Sequence, residues 1–429
     1  MGVLCIRESD FKEWSLHVKK AVDVNAQAGG SKESLINTVR TFKDENTGRE
    51  IRQLTQFEHG ASLGYFRMFR QLPDGRILAG AQHDTGYLIA IEPGSGTIEL
   101  LPYRFGIMKL RERDGHAWFL KTSRPPGEPH KTSIRKSTGR ELWQVELPSG
   151  QPEKVCDIPD DLPGAIEDIT IDGLHLVSCL NEQDLTQTPI PTTKDVDSIN
   201  RYFARPRHGS IWTFNRETGA IRKIHETDGM CPSHLDTSPR DPTLFRFCHD
   251  MPDAQGQRVW TMHMDGTGKT AIRPQAFGEM VTHEFWWSDP DFIGYTYQDR
   301  RNDPTLKTHH WAEYSLAKTR FGLSDLSGRE IYLSDPLNSY HSHIYRSQDG
   351  RLISGEGTDG NSFVGAALFS LTNPRLDMVP LATIHTPYVP FRGQGVDCNF
   401  SADGRWLIYA DKHDGPDKPH QLFAVRVDL

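Results

Sequence analysis

Histidine is the residue type that offers this chain its chemistry. Of the 19 histidines, His249 in FRFCHD, His283 in VTHEFWW, and His341 and His343 in SYHSHIY stand inside short, aromatic, strand-like runs. An imidazole can take a proton near neutral pH or bind a divalent cation. A histidine among aromatic strand residues can equally be a hydrogen-bonded structural residue, and taken singly each of these favours that reading. The chain contains no Walker loop or HExxH. Nucleotide binding of the P-loop kind and zincin chemistry therefore lose their usual support.

The elements that must position these histidines are hairpins. From about Thr47 onward, short runs rich in Val, Ile, Phe, Tyr and Trp alternate with Asp-Gly, Pro-Asp and Ser-Gly turns, the signature of antiparallel strands. One phrase, a turn followed by strand residues, recurs seven times. Its turns are Asp74-Gly75, Asp114-Gly115, Asp172-Gly173, Arg240-Asp241, Asp289 to Asp291, Asp349-Gly350 and Asp403-Gly404. Second phrases such as GYLIAIEPGSGTIELL, ELWQVELPSGQPEKV and GSIWTFNRETGAIRKI lie between them. Two hairpins per period make a four-stranded blade, and a period of roughly 40 to 60 residues is that of propeller repeats. The expected fold is all-β, a seven-bladed β-propeller over residues 47–429. EIRQL (Glu50 to Leu54) is expected to complete the blade of the C-terminal QLFAVRVDL, because a ring must bury its two free edges.

Residues 1–46 read differently. FKEWSLHVKKAVDVNAQ has helical spacing of apolar positions and AGGSKES breaks it, which predicts an N-terminal helical arm and a docking element for a homo-oligomer. The stretches Arg124 to His130 and Gln183 to Arg207 read as long loops. The net charge of −8 and pI near 6.2 exclude a general nucleic-acid surface. No segment is long and apolar enough to span a bilayer, and the N-terminus lacks a secretory signal, so a cytoplasmic protein with no membrane partner is expected. Six cysteines stand singly, which favours buried thiols over disulfides.

The phrases CHD, RVWTMHMDG, THEFWW, HIYRSQDG and GQGVDCNFSADG, in that order and with comparable spacing, resemble the oligogalacturonate lyase family. The resemblance is strongest from about Cys231 to the C-terminus, diffuse over residues 50–230 and absent from the arm. It implies a propeller that holds a divalent metal, usually manganese, through three histidines and a glutamine. It further implies a separate histidine base with an assisting arginine, and cytoplasmic action on short pectin fragments. Carried over, the base falls on His283 and the arginine on Arg258. The metal ligands fall on His343, Gln394, Asp397 and Asn399. The last two depart from the family, whose His-x-His pair stands there.

One nitrogen and three oxygens make a harder donor set, which suits Mn2+ but leans toward Ca2+ or Mg2+. The alternative is a site without metal, in which Asp397 and Asn399 touch sugar and His341 or Arg392 supplies the positive charge. His249 and His234 are candidates for substrate contact. The expected reaction is β-elimination on a uronic-acid-containing oligosaccharide. A non-catalytic binding module, or a propeller enzyme of another sugar linkage, remain the competing readings.

Overall fold

Each of the seven predicted turns joins the first and second strands of a separate sheet. The local chemistry explains why. In each of the five Asp-Gly turns the Asp carboxylate accepts the backbone N–H two residues on, from Arg76, His116, Leu174, Arg351 and Arg405. The glycine that follows the Asp sits at positive φ, for example 84° at Gly75 and 69° at Gly350, where a side chain would be strained. The computed structural model describes residues 34–35, 39–65, 67, 70–81, 87–104, 107–122, 139–183, 207–250, 256–303, 318–337, 341–357, 363–386 and 396–429.

Seven antiparallel sheets follow one another in chain order, five of them with four strands, one with five and one with six. The seven-bladed reading is borne out. In the second to seventh blades the innermost strands are Ile107–Arg111, Ala165–Ile169, Cys231–Thr237, Glu279–Trp286, His341–Arg346 and Asn399–Phe400. Ala61–Ser62 and Arg70–Gln71 share that place in the first blade. Closure is as expected: Glu50–Gln53 pairs with Gln421–Arg426, with Ile51 opposite Val425.

The core repeats with the ring, one apolar cluster filling each junction between adjacent blades. Alternation along single strands divides the side chains between two junctions. In the seventh blade Leu407, Tyr409, Phe423 and Val425 pack toward the sixth blade. Ile408, Ala410, Leu422 and Ala424 pack toward the first. The remaining junctions hold clusters centred on Phe119, Trp118, Phe247, Tyr295 and Phe321. Every strand face in the middle of a blade is thus buried, and the ring needs no other cover.

The arm is corrected in part. No α-helix occurs among the described residues. Ser34–Leu35 is a strand that pairs with the outer strand Ile98–Arg104 of the first blade, and Arg40–Lys43 pairs with Glu50–Gln53 at the outer edge of the seventh. A strand forms over Arg40–Lys43 because the edge of the closing sheet offers a ladder and Phe42 packs on that blade's core. The rest of the proposed arm, and the loops 123–138 and 184–206, lie outside the described residues. Cys156, Cys179, Cys231, Cys248 and Cys398 are free thiols, four of them buried. No helix among the described residues is long and apolar enough to cross a membrane.

Candidate active site

Four inner strands carry the same backbone departure. His234, His283, His343 and Asp397 adopt positive φ of 52°, 52°, 37° and 44°, at equivalent places in the fourth, fifth, sixth and seventh blades. At each, three steps along the inner strand face two on its neighbour. The register slips between Ser233 and Asp236, between Thr282 and Phe285, and between Ser342 and Tyr345. In the seventh blade Val396 accepts from Ala410 N while Asn399 pairs with Ile408. This is a β-bulge with a left-handed residue, which re-aims one side chain per blade. Non-glycine residues held in this region cost of order 1–3 kcal/mol each, so the fold sustains four such costs around one axis.

The bulges bring the histidines together. The His283 and His343 rings lie 4.8 Å apart and nearly perpendicular. Tyr65, from the first blade, stands edge-on to His343 at 5.0 Å and tilted to His234 at 6.1 Å. Each imidazole turns Nδ1 toward the equivalent residue of the second strand. His234 Nδ1 faces Cys248 Sγ at 3.7 Å, His283 Nδ1 faces Thr296 Oγ1 at 3.4 Å, and His343 Nδ1 forms an ion-pair contact with Glu356 Oε1. Glu356 is fully buried and its other oxygen accepts the backbone N–H of Asp397 at 3.0 Å. Asp397 Oδ1 lies 3.6 Å from His343 Nδ1.

Burial holds the His283 imidazole well below the usual histidine range, reinforced by His343 and by the Arg258 guanidinium. It is therefore neutral near neutral pH. Arg258 immediately precedes the third strand of the fourth blade and is nearly buried. Its backbone is fixed by Gln275 Oε1, which accepts its N–H at 2.8 Å, and by His249, whose N–H its carbonyl accepts.

Beside the histidines a buried ionic chain runs across four blades. Glu284 accepts from Arg246 Nη1 at 3.0 Å and faces His234 Nδ1 at 3.1 Å and Cys248 Sγ at 2.7 Å. Burial alone would raise the Glu284 carboxyl, but His234, Arg246 and Arg258 hold it well below the usual range. Arg246 bonds Asp236 at 2.6 Å, and Lys109 links Asp236 to Asp168. Arg67, Lys109, Asp168 and Asp236 line a cavity of about 610 Å³ that continues along the axis past Phe285, Trp286 and Tyr345. Charged walls of both signs make it a polar channel.

Two sets of donors stand near the axis. His343, oriented by Glu356 and flanked by Asp397, pairs an imidazole with a carboxylate, and a carboxylate behind a ligating histidine is the usual support for a bound cation. This donor set fits a divalent metal. His234, Cys248 and Glu284 also have ligand atoms within 4.8 Å of one another, but the Arg246 guanidinium already occupies Glu284 and disfavours a second cation.

Of the residues read from the sequence, the structure gathers His283, His343, Asp397 and His234 and sets Arg258 within their electrostatic reach. His249 is not among them. Alternation puts it on the opposite face of its strand from Cys248, where it stacks on His225 at 5.4 Å with the two Nε2 atoms 3.1 Å apart. Asn399 is buried two residues beyond Asp397. His341 opens the inner strand opposite Gly357; its side chain, like Arg392 and Gln394, lies outside the described residues. Glu284 is ion-paired with Arg246. Glu356, Tyr65, Arg246 and Cys248 were not found from the sequence as members of the site. The only trace of Glu356 is a lone carboxylate inside the small apolar run LISGEG.

No protein-family model matches the chain. It is 26% identical over 327 residues to an oligogalacturonide lyase of Pectobacterium atrosepticum, covering 75% of this chain and 76% of that protein. It is 23% identical to an oligogalacturonate lyase of Dickeya dadantii, over 74% of each. Among solved structures, an oligogalacturonate lyase in complex with manganese superimposes with a TM-score of 0.67 at 19% identity, covering 93% of this chain and 99% of that one. The oligogalacturonate lyase of Vibrio parahaemolyticus gives 0.66 at 17% identity, with the same coverage. In sequence and in fold, the chain is similar to the oligogalacturonate lyases, the family its motifs resemble.

Proposed function

We propose that this protein is a polysaccharide lyase that cleaves a uronic-acid-containing oligosaccharide, of the oligogalacturonate kind, by β-elimination. The observation that carries the reading is the ring of four left-handed residues: the fold accepts strain where His283, His343 and Asp397 face one another. The names of the relatives support the substrate class.

Removing the C5 proton of a uronate places new negative charge beside a carboxylate, so the proton is only weakly acidic. His283 takes that proton on its neutral imidazole as the general base. The electron pair left at C5 forms the C4=C5 double bond, and the C4–O bond breaks to release the chain beyond it, whose oxygen takes a proton from a solvent molecule and leaves as its alcohol. Arg258, permanently charged, stabilises the carboxylate and the charge that develops on its oxygens without competing for the proton. Tyr65 walls the pocket beside His343 and His234. A divalent cation, Mn2+ as in the solved relative or the harder Ca2+ or Mg2+, would be held by His343 and Asp397 with Glu356 orienting the imidazole, and as a Lewis acid it would neutralise the uronate carboxylate.

The test is the ultraviolet absorbance of a conjugated unsaturated uronate, followed while the protein acts on oligogalacturonates with Mn2+, Ca2+ or a chelator. Absorbance that rises with the wild type and not with His283→Ala supports elimination at this site. No rise on any uronate, with the protein folded, would leave the binding-module reading.

A further inference from the structure

We propose that His385, Asp411 and His413 form a second cation site, for a divalent metal of the zinc class, that latches the junction where the ring closes. The site is separate from the axis. His385 follows the outer strand Val379–Thr383 of the sixth blade, Asp411 ends the second strand Trp406–Asp411 of the seventh, and His413 lies in the turn beyond it.

Their ligand atoms all lie within 4.8 Å of one another. His385 Nδ1 is 2.8 Å from Asp411 Oδ2, and His413 Nδ1 is 3.4 Å from His385 Nδ1, with the two rings nearly perpendicular. Two imidazole nitrogens at this separation cannot both point a hydrogen at each other. The His385 Nδ1 hydrogen is directed at Asp411, so His413 turns a lone pair into the gap. Two nitrogens bound to one zinc at about 2.0–2.1 Å in tetrahedral geometry stand about 3.4 Å apart, which is the separation found here. A cation entering the gap replaces the Nδ1 proton of His385, which leaves to solvent, and gains the Asp411 carboxylate as a third donor. Two imidazoles and one carboxylate suit zinc better than calcium or magnesium, which prefer oxygen throughout.

The three donors are held in advance. Asp411 is 2% exposed, and its Oδ1 accepts from the backbone and hydroxyl of Thr386 at 2.8 Å each and from the backbone of His385 at 3.0 Å. The His413 ring stacks on Phe42 at 4.2 Å and lies 5.9 Å from Phe423. His385 retains a solvent-facing side, 39% exposed, through which a cation and its remaining ligands can enter. The site therefore ties the sixth blade to the seventh and, through Phe42, to the N-terminal strand Arg40–Lys43 at its edge. A metal bound there binds the closed ring and not the opened one, and so stabilises closure by mass action.

The experiment uses the full chain in a His343→Ala/Asp397→Ala background, which removes the donors proposed at the axis. After chelator treatment the protein is dialysed against ZnCl2, and bound zinc per chain, the thermal midpoint and the visible spectrum with Co2+ are measured. We expect one zinc retained per chain, a midpoint that rises with ZnCl2, and ligand-field bands with Co2+. His413→Gln and His385→Asn, each folded by circular dichroism, should lose that equivalent and the rise. In the otherwise wild-type chain, His413→Gln should leave turnover of oligogalacturonate unchanged. Equal zinc binding by parent and both variants, or no zinc retained and no Co2+ bands in the parent, overturns the site whatever the outcome of the lyase assay.

Discussion

The two halves of the ring are built from the same hairpins and differ at one position per blade. In the fourth to seventh blades the inner strand carries a left-handed His or Asp. Among the described residues, the inner strands of the first three carry no non-glycine residue at positive φ. The third blade has a register slip as well, between Ile166 and Asp168, but without the left-handed turn. Its axial residue Asp168 joins an ion pair with Lys109. The bulge alone is thus a property of the scaffold, whereas among the described residues the strained φ is confined to the half that carries the histidines. That half begins at Cys231, where the resemblance to the oligogalacturonate lyases becomes strong. Strain placed in only part of a repeating fold marks where side-chain aim matters more than stability.

The comparison can be broken most sharply at the fifth blade. His283→Ala should lower kcat/KM by about 10³-fold, within the range for loss of a general base, while the thermal midpoint stays near that of the wild type; an unchanged rate would deny the half-ring its chemistry. In the other half the expected response is reversed. Lys109→Met leaves Asp168 buried without its cation and should cost about 3 kcal/mol in denaturant unfolding, as for removal of one partner of a buried pair, with KM unaltered. Glu356→Gln, which weakens the orientation of His343, should reduce metal affinity about 10- to 100-fold, measured by titrating activity with Mn2+.

The smallest effect is expected away from both halves of the axis. Asp44 is buried, and although burial raises its carboxyl, hydrogen bonds from Thr383 and Thr47 hold it below the ordinary aspartate value of 3.8. A depressed folded pKa contributes stability that is present in full above 3.8 and lost as pH falls through the lower folded value. Asp44→Asn should therefore flatten the acid limb of the midpoint-against-pH curve below about pH 4 and leave the lyase rate at neutral pH untouched.

Much of the site was legible because the family phrases contain it. His283, Arg258 and His343 stand in THEFWW, QRVW and HIYRSQDG, and Asp397 could be read as a departure from the family at its own position. His249 misled because a strand reveals which residues share a face but not which face is inward. The bulge that aims His234 at the axis, and with it Cys248 rather than His249, lies on the neighbouring strand between Ser233 and Asp236 and is invisible in CHD. Glu356 and Tyr65 went unseen for a related reason: their relation to His343 crosses from one strand to its neighbour and from the sixth blade to the first.

What the sequence determined by itself is local and periodic. Turn phrases set the inner hairpins and, by recurring seven times, the count of blades, alternation assigned side chains to the junctions, and the pairing of Glu50–Gln53 with Gln421–Arg426 followed from the need to leave no free edge. What the tertiary structure decided is aim. The left-handed φ at His234, His283, His343 and Asp397 costs energy that no local preference supplies, and it persists because the packing of blades on both sides over-determines the backbone. Only the closed ring brings those four residues, from four separate repeats, to a common axis.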